Sequence, residues 1–303
     1  MKTHLECISC FFKQALDSAR IAKASDRQRK KIVDRLAKAV PKFSLDASPP
    51  EMGRVLYKIV KEVTGVKDPY REIKDKSNRL AVRLYPRLKK KVALSRDRLL
   101  RAVEFAIAGN IIDFGVKNTL NVNKELKRIL AAEDKAIKGA AFDYFDFKRA
   151  LKKAKRILYL GDNAGEILFD RVLIEEIKRL YPKKRVIYAV KEKPIINDAL
   201  LTDAYSCGID KCAEIISTGL DSPGVVLKWC YKEFLKVYRN ADMVVSKGQG
   251  NFESLSKERK PIFFLFMAKC PVVARNTGQS LGDIILLYNA KKGRKRAGSK
   301  RCR

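Results

Sequence analysis

Asp162 and Asn163 sit in the run Gly161-Asp162-Asn163-Ala164-Gly165, between two apolar segments of different period. Before it, Arg156 to Leu160 is a short apolar run of strand length, and after it Glu166 to Leu180 has apolar residues at helical spacing. A strand, a glycine-bounded turn and a helix place that turn outside the carboxyl end of the strand, where open α/β sheets bind ligands. The helix start offers unpaired N–H groups and the positive end of a dipole, which suit an anion. An acid and an amide beside an anion provide what a hard cation and a phosphate need together. The plainer alternative is a turn with an Asx cap.

Three further polar turns follow short apolar runs: 191–198 with Asn197 and Asp198; 217–224 with Ser217, Thr218 and Gly219; and 246–253 with Lys247, Gly248, Gly250 and Asn251. If the preceding runs are parallel strands, all four turns open on one sheet edge. Carboxylates, amides, a lysine and glycine backbone then meet, as metal-assisted phosphate chemistry requires. Each turn also has a structural reading. Asn197-Asp198 can cap a helix, and Ser217-Thr218-Gly219 can be turn punctuation. Lys247 to Asn251 can be a flexible loop; it is no P-loop, because the lysine precedes the glycines.

The elements that must position these turns divide the chain. Residues 1–150 read as helical: Leu5–Ala22, Ser25–Val40, Ser48–Val63, Tyr70–Leu88 (bent or ended near Pro86), Ser95–Ala108, Asn123–Ala132 and Asp143–Ala154. Residues 151–290 alternate strand and helix. The predicted strands are Arg156–Leu160, Arg185–Val190, Glu214–Ser217, Met243–Ser246, Ile262–Met267 and Asp283–Leu287. The helices between them are Glu166–Leu180, Ile196–Tyr205, Val225–Tyr238 and Phe252–Leu255. The expected fold is α/β: an all-helical N-terminal domain plus a doubly wound, mostly parallel sheet with helices on both faces. Residues 291–303 form a basic tail, expected to be disordered.

With 46% hydrophobic residues in 303, the chain can bury a full core. Its net charge of +32 is spread along it: 35 Lys+Arg face 18 Asp+Glu in residues 1–150, and 31 face 16 in the rest. Such charge favours anionic partners, whether metabolite, nucleic acid or acidic surface, and equally describes a lysine-rich solvated surface. No secretory signal or membrane span is read, so a cytoplasmic location is expected. The seven cysteines do not read as a disulfide scaffold. Cys7 and Cys10, three apart on one helix face, are open to three readings: buried thiols, a disulfide, or part of a metal site. Trp229 is expected in the core.

Seven pieces in order give the chain a family resemblance over about residues 5 to 288. They are Cys7-Ile8-Ser9-Cys10; Ala108 to Gly115; Gly161 to Glu166 with Phe169-Asp170; Pro194 to Ala199; Ser217-Thr218-Gly219; Lys247 to Glu253; and Lys269-Cys270. In these the chain resembles the metal-dependent damage-control phosphatases, long labelled domain of unknown function 89, particularly their compact archaeal members. The resemblance implies a phosphomonoesterase acting on small phosphorylated metabolites such as sugar phosphates, with Mn, Co, Ni or Mg. It implies Asp162, Asn163 and Asp198 as metal ligands, and Lys247 with the Gly248 and Gly250 backbone on the substrate phosphate. Asn110 and Asp113 would reach the same site from the helical half. Gly165, Glu166, Ser217, Thr218, Gly219 and Asn251 complete the expected substrate-binding set. Direct attack by water is preferred over a phospho-aspartate, since no Asp-x-Asp strand end is present. Two rivals stay open: an S-adenosylmethionine-dependent carboxyl methyltransferase, with Glu192 on the ribose, and a nucleic-acid-binding protein using the basic surface.

Overall fold

Local capping starts the helical half where the sequence signals it. Ser25 and Gln28 exchange bonds as a capping box, Gln28 N–H to Ser25 Oγ at 3.3 Å and Ser25 N–H to Gln28 Oε1 at 3.0 Å. The Ser48-Pro49-Pro50-Glu51 signal opens the third helix, with the Ser48 N–H donating to Glu51 Oε1 at 3.0 Å. That helix ends on Gly65 at φ 73°. This computed structural model describes residues 1–109 and 142–290. The helix expected at 123–132 and the basic tail at 291–303 lie outside the described residues, as do Asn110 and Asp113.

The described helices are α1 Glu6–Ile21, α2 Asp26–Ala39, α3 Pro49–Thr64, α4 Arg71–Leu94, α5 Arg98–Ala108, α6 Tyr144–Lys153, α7 Ile167–Leu180, α8 Leu201–Ser206, α9 Lys232–Asn240, α10 Gln249–Leu255 and α11 Pro271–Thr277. The strands are β1 Arg156–Leu160, β2 Arg185–Val190, β3 Glu214–Ser217, β4 Met243–Lys247, β5 Ile262–Met267 and β6 Ile284–Tyr288. They form one sheet in the order β3-β2-β1-β4-β5-β6. Five strands run parallel and β6 pairs antiparallel to β5. The fold is thus α/β with a mostly parallel sheet, as expected.

Both sheet faces are covered. One core joins alternate strand residues, such as Ile157, Tyr159 and Val245, to α4, α5, α6 and α7. The other joins Leu158, Leu160, Val244 and Phe264 to α9, α10 and α11. A third cluster ties α1, α2 and α3 together and includes Ile195 from the loop after β2. The first core therefore contains helices from both halves of the chain, and no break in packing separates α4 and α5 from the sheet.

Three elements differ from expectation. Helix α4 continues through Pro86 to Leu94. Pro86 and Val82 are exposed, so the carbonyl that loses its partner faces water, while Leu84, Leu88 and Val92 hold the two halves to the core. The helix expected from Ile196 starts only at Leu201, because residues 191–199 are hydrogen-bonded elsewhere: Lys191 N–H donates to the Ala199 carbonyl at 3.0 Å, and Ala199 N–H to that of Asp162 at 2.8 Å. The helix expected over Val225–Tyr238 splits into a short 3-10 turn, Leu227–Trp229, and α9. The break comes at Tyr231, whose N–H donates to the Thr218 carbonyl at 3.1 Å. Trp229 is half-buried on that turn, not in the core centre, with the Arg54 guanidinium 4.6 Å above its ring.

Candidate active site

The turn after β1 and the loop after β2 are joined by backbone. Asn163 and Asp198 form an antiparallel bridge. Ala164 N–H donates to the Asn197 carbonyl at 2.9 Å, and Ala199 N–H returns to Asp162 at 2.8 Å. Asp162, Asn163 and Asp198 are therefore brought together by main-chain bonds. All three line a cavity of about 290 Å³. Its sheet-side wall adds Gln249, Gly250 and Glu253 from α10, with Lys269 and Cys270 after β5. Its opposite wall comes from α1 and α3: Cys7, Cys10, Phe11, Gln14, Pro49, Pro50, Gly53 and Tyr57.

Asp162 is seated against Gly248. At φ 81° and ψ 158°, Gly248 has a backbone that only glycine adopts readily, and a Cβ there would stand 2.0 Å from Asp162 Oδ2. Asn163 Nδ2 donates to Asp162 Oδ2 at 2.9 Å and to Glu166 Oε1 at 2.7 Å. Burial, with the charges of Glu166 and Asp198, pushes the Asp162 carboxyl well above the usual carboxylate range. Asp198 is raised too, chiefly by burial, although Lys191 opposes this. Lys191 Nζ lies 3.7 Å from Asp198 Oδ2, and among the described residues neither atom has a hydrogen bond. Crowded, buried acids and an orphaned carboxylate oxygen fit a cation held by Asp162, Asp198 and the Asn163 side chain. Among the described residues no three His, Cys, Asp or Glu side chains have metal-ligand geometry. An ion here thus depends on the amide, water and substrate oxygens as well as the two carboxylates.

Lys247 departs from expectation. It is the last residue of β4, a strand buried along its whole length, and its side chain is fully buried. Its Nζ donates to Asp170 Oδ1 at 2.7 Å and to Glu166 Oε2 at 3.2 Å. Burial pulls its pKa down, but Asp170 and Glu166 outweigh this and push it up to about 12. Asp170 also accepts the Tyr159 and Tyr188 hydroxyls at 2.7 and 2.8 Å. Neither Lys247 nor Glu166 lines the cavity. Lys247 instead ends a chain of contacts that runs through Glu166 to Asn163 and Asp162. Its signal in the sequence was the pair Glu166 and Asp170, one helical turn apart within an apolar stretch, which demands a buried cation.

The other expected substrate-binding residues separate. Gly250 lines the cavity, and a Cβ there would stand 2.0 Å from the Pro223 carbonyl oxygen. Asn251 is buried as a staple: it accepts from the Val225 N–H at 2.9 Å and donates to the Lys247 carbonyl at 2.8 Å. Ser217, Thr218 and Gly219 do not line the cavity. Thr218 donates to the Val190 carbonyl at 3.0 Å and Gly219 N–H to Ser217 Oγ at 3.1 Å, so these three residues are tied to the end of β2 and to one another. Gly165, at φ 82°, donates its N–H to Asn78 Oδ1 at 2.7 Å. Asn78, buried on α4, carries no signal in the sequence beyond being a polar residue on the apolar stripe of a basic helix.

The Damage-control phosphatase ARMT1-like domain model matches residues 3–285. The chain belongs to this family. A damage-control phosphatase of Pyrococcus horikoshii is 35% identical over 95% of this chain and 99% of its own length. One from Archaeoglobus fulgidus is 33% identical over 94% and 98%. An uncharacterised protein of Methanocaldococcus jannaschii is 38% identical over 95% of each. A crystal structure of a family protein from P. horikoshii superposes with a TM-score of 0.86, at 35% identity over 95% of this chain and 99% of that one. These names give the family a phosphatase role. Among the described residues no helix is long and apolar enough to cross a membrane.

Proposed function

We propose that this chain is a metal-dependent phosphatase that hydrolyses small phosphate monoesters by direct attack of water. The observation that carries the reading is the joining of Asp162, Asn163 and Asp198 in the lining of one cavity. Two carboxylates and an amide suit Mn, Co, Ni or Mg. When bound, such an ion polarises a phosphoryl oxygen and acidifies water. Asp162 and Asp198 would hold it. Asn163 is aimed by Glu166, and Glu166 is fixed by Lys247. Lys247 supports the acidic floor from beneath, its charge favouring the ionised form of Asp162. On the cavity side the lining cation is Lys269, which is exposed and in this reading meets the substrate phosphate. The volume of about 290 Å³ suits a small metabolite rather than a polymer.

The test is phosphate release from a panel of small monoesters after chelator treatment, with Mg²⁺, Mn²⁺, Co²⁺ or Ni²⁺ restored. Asp162→Ala is run beside the wild type. Metal-dependent release, lost in the variant, is expected. Release untouched by the mutation, or none with any metal, overturns the reading and makes calorimetry with S-adenosylmethionine the next measurement.

A further inference from the structure

Hydrolysis of an alkyl phosphate leaves a poor leaving group, which needs a proton as the P–O bond breaks. Lys247, Glu166 and Asp170 are sealed under the floor. On the cavity wall, Asp162 and Asp198 belong to the cation site. Tyr57 commits its hydroxyl proton to Gln14 Oε1 at 3.1 Å, and the Cys270 sulfur serves as an acceptor that caps α11 at Val273 N–H, 3.4 Å away. One carboxyl on the wall has no such task.

We propose that Glu253 is the acid that protonates the leaving oxygen, an assignment that rests on the phosphatase reading above. It lies on α10, on the same cavity wall as Asp162 and Asn163. Gln249 Oε1 is fixed as an acceptor by the Lys269 N–H at 3.0 Å. Its Nε2 therefore donates, and it reaches Glu253 Oε1 at 2.8 Å. That leaves Oε2 as the natural site for a proton. Among the described residues no other side chain hydrogen-bonds the Glu253 carboxyl. Burial holds this carboxyl up to about 7, against the opposing pull of Gln249 and the Met1 amine, so roughly half of it still carries the proton near neutral pH. The charged and titratable groups around it are that amine, Lys269, the Cys7 and Cys270 thiols, and Asp162 and Asp198, which line the same cavity.

In the step, water forms the new P–O bond as the ester P–O bond breaks. The electron pair of the broken bond goes to the alcohol oxygen, which takes the Glu253 proton. The proton shed by the water passes to solvent, and solvent reprotonates Glu253.

Two esters separate this role from the rest of the machinery. p-Nitrophenyl phosphate releases a stabilised phenolate, whereas glycerol 3-phosphate releases an alkoxide. With the full chain and its activating metal, Glu253→Gln, which keeps the bond from Gln249, is expected to lose about 100-fold or more in kcat/KM on glycerol 3-phosphate. The loss on the nitrophenyl ester is at least tenfold smaller. The wild-type fall in kcat/KM above about pH 7 on the glycerol ester disappears in this variant and persists in Glu253→Asp, which also checks that changes at this position fold. Equal losses on both esters, or none, overturn the assignment while leaving the phosphatase reading intact. A wild type inert toward both esters with every metal overturns the two together.

Discussion

Gly248→Ala is a one-methyl change that reaches the candidate metal site through backbone and contact alone. The new Cβ would stand 2.0 Å from Asp162 Oδ2 and 2.5 Å from Oδ1, where ordinary contact begins at 3.4 Å. Relief of the closer clash requires the carboxylate to retreat about 1.4 Å. The backbone adds a second cost, about 1–3 kcal/mol, because φ 81° with ψ 158° is closed to residues with a Cβ. A misplacement of about 1 Å at a reacting centre costs roughly 100-fold in rate. The expected outcome is therefore a stability loss of about 1–3 kcal/mol in urea denaturation, with phosphate release down roughly 100-fold at saturating metal. The metal needed for half-maximal rate should rise as well, since a ligand has moved. An alanine variant with wild-type kinetics, metal requirement and stability would refute the placement of Asp162 against Gly248, and with it the geometry of the site.

Two more predictions follow from buried charge. Lys247→Met removes the cation between Glu166 and Asp170 and leaves both acids uncompensated, so it should destabilise the fold by about 3–5 kcal/mol in urea. Adding Asp170→Asn should restore part of that loss; a single variant within about 1 kcal/mol of wild type, well inside the range for a broken buried pair, sinks the account. Glu176 bears on acid stability: burial raises its carboxyl, but the bonds from Arg98 at 2.6 and 3.1 Å and Arg179 at 2.7 Å outweigh this and hold it below the usual value. A group with a lowered folded pKa stabilises above its unfolded value, about 4.3, and loses that contribution as pH falls through the folded one. Denaturation midpoints of wild type and Glu176→Gln should thus differ most near neutrality and converge on acidification below about pH 4; a gap constant with pH contradicts the pairing.

The strands were legible because each is a short apolar run ended by a polar turn, and a sheet covered on both faces demands that pattern. That Asp162, Asn163 and Asp198 come together was legible for a related reason: they follow strands that end on one sheet edge, and β1 and β2 are direct neighbours there. What local pattern could not supply was anything decided across the chain. The loop from Lys191 to Ala199 has helix-compatible residues near its end, yet bonds to the β1 turn hold it open, and Ile196 takes φ 43° there. Lys247 reads as the turn lysine that meets a phosphate, but β4 is central and its last residue is sealed. Pro86 reads as a bend or a stop, and only the burial of Leu88 and Val92 beyond it explains why α4 continues. Ser217 to Gly219 read as a binding turn from their place at a strand end and from the family resemblance, but their bonds to the end of β2 keep them out of the cavity lining. The opposite wall of the cavity was the least visible part, since nothing local to α1 or α3 indicates which sheet edge they will cover.

That division of the cavity has an evolutionary consequence. The groups assigned to the reaction lie between residues 162 and 270, while the facing wall is drawn from residues 7 to 57. The two walls press closely: a Cβ at Gly53 would stand 2.8 Å from Pro223, and Pro223 abuts Gly250. Yet they are separate stretches of chain, with separate packing clusters behind them. Mutations in the first two turns of α1 or in α3 can reshape what the cavity admits without replacing any residue proposed to hold the cation or the proton. Drift in ligand preference and preservation of the reaction are thereby uncoupled at the level of the gene, and a lineage can explore one while selection guards the other.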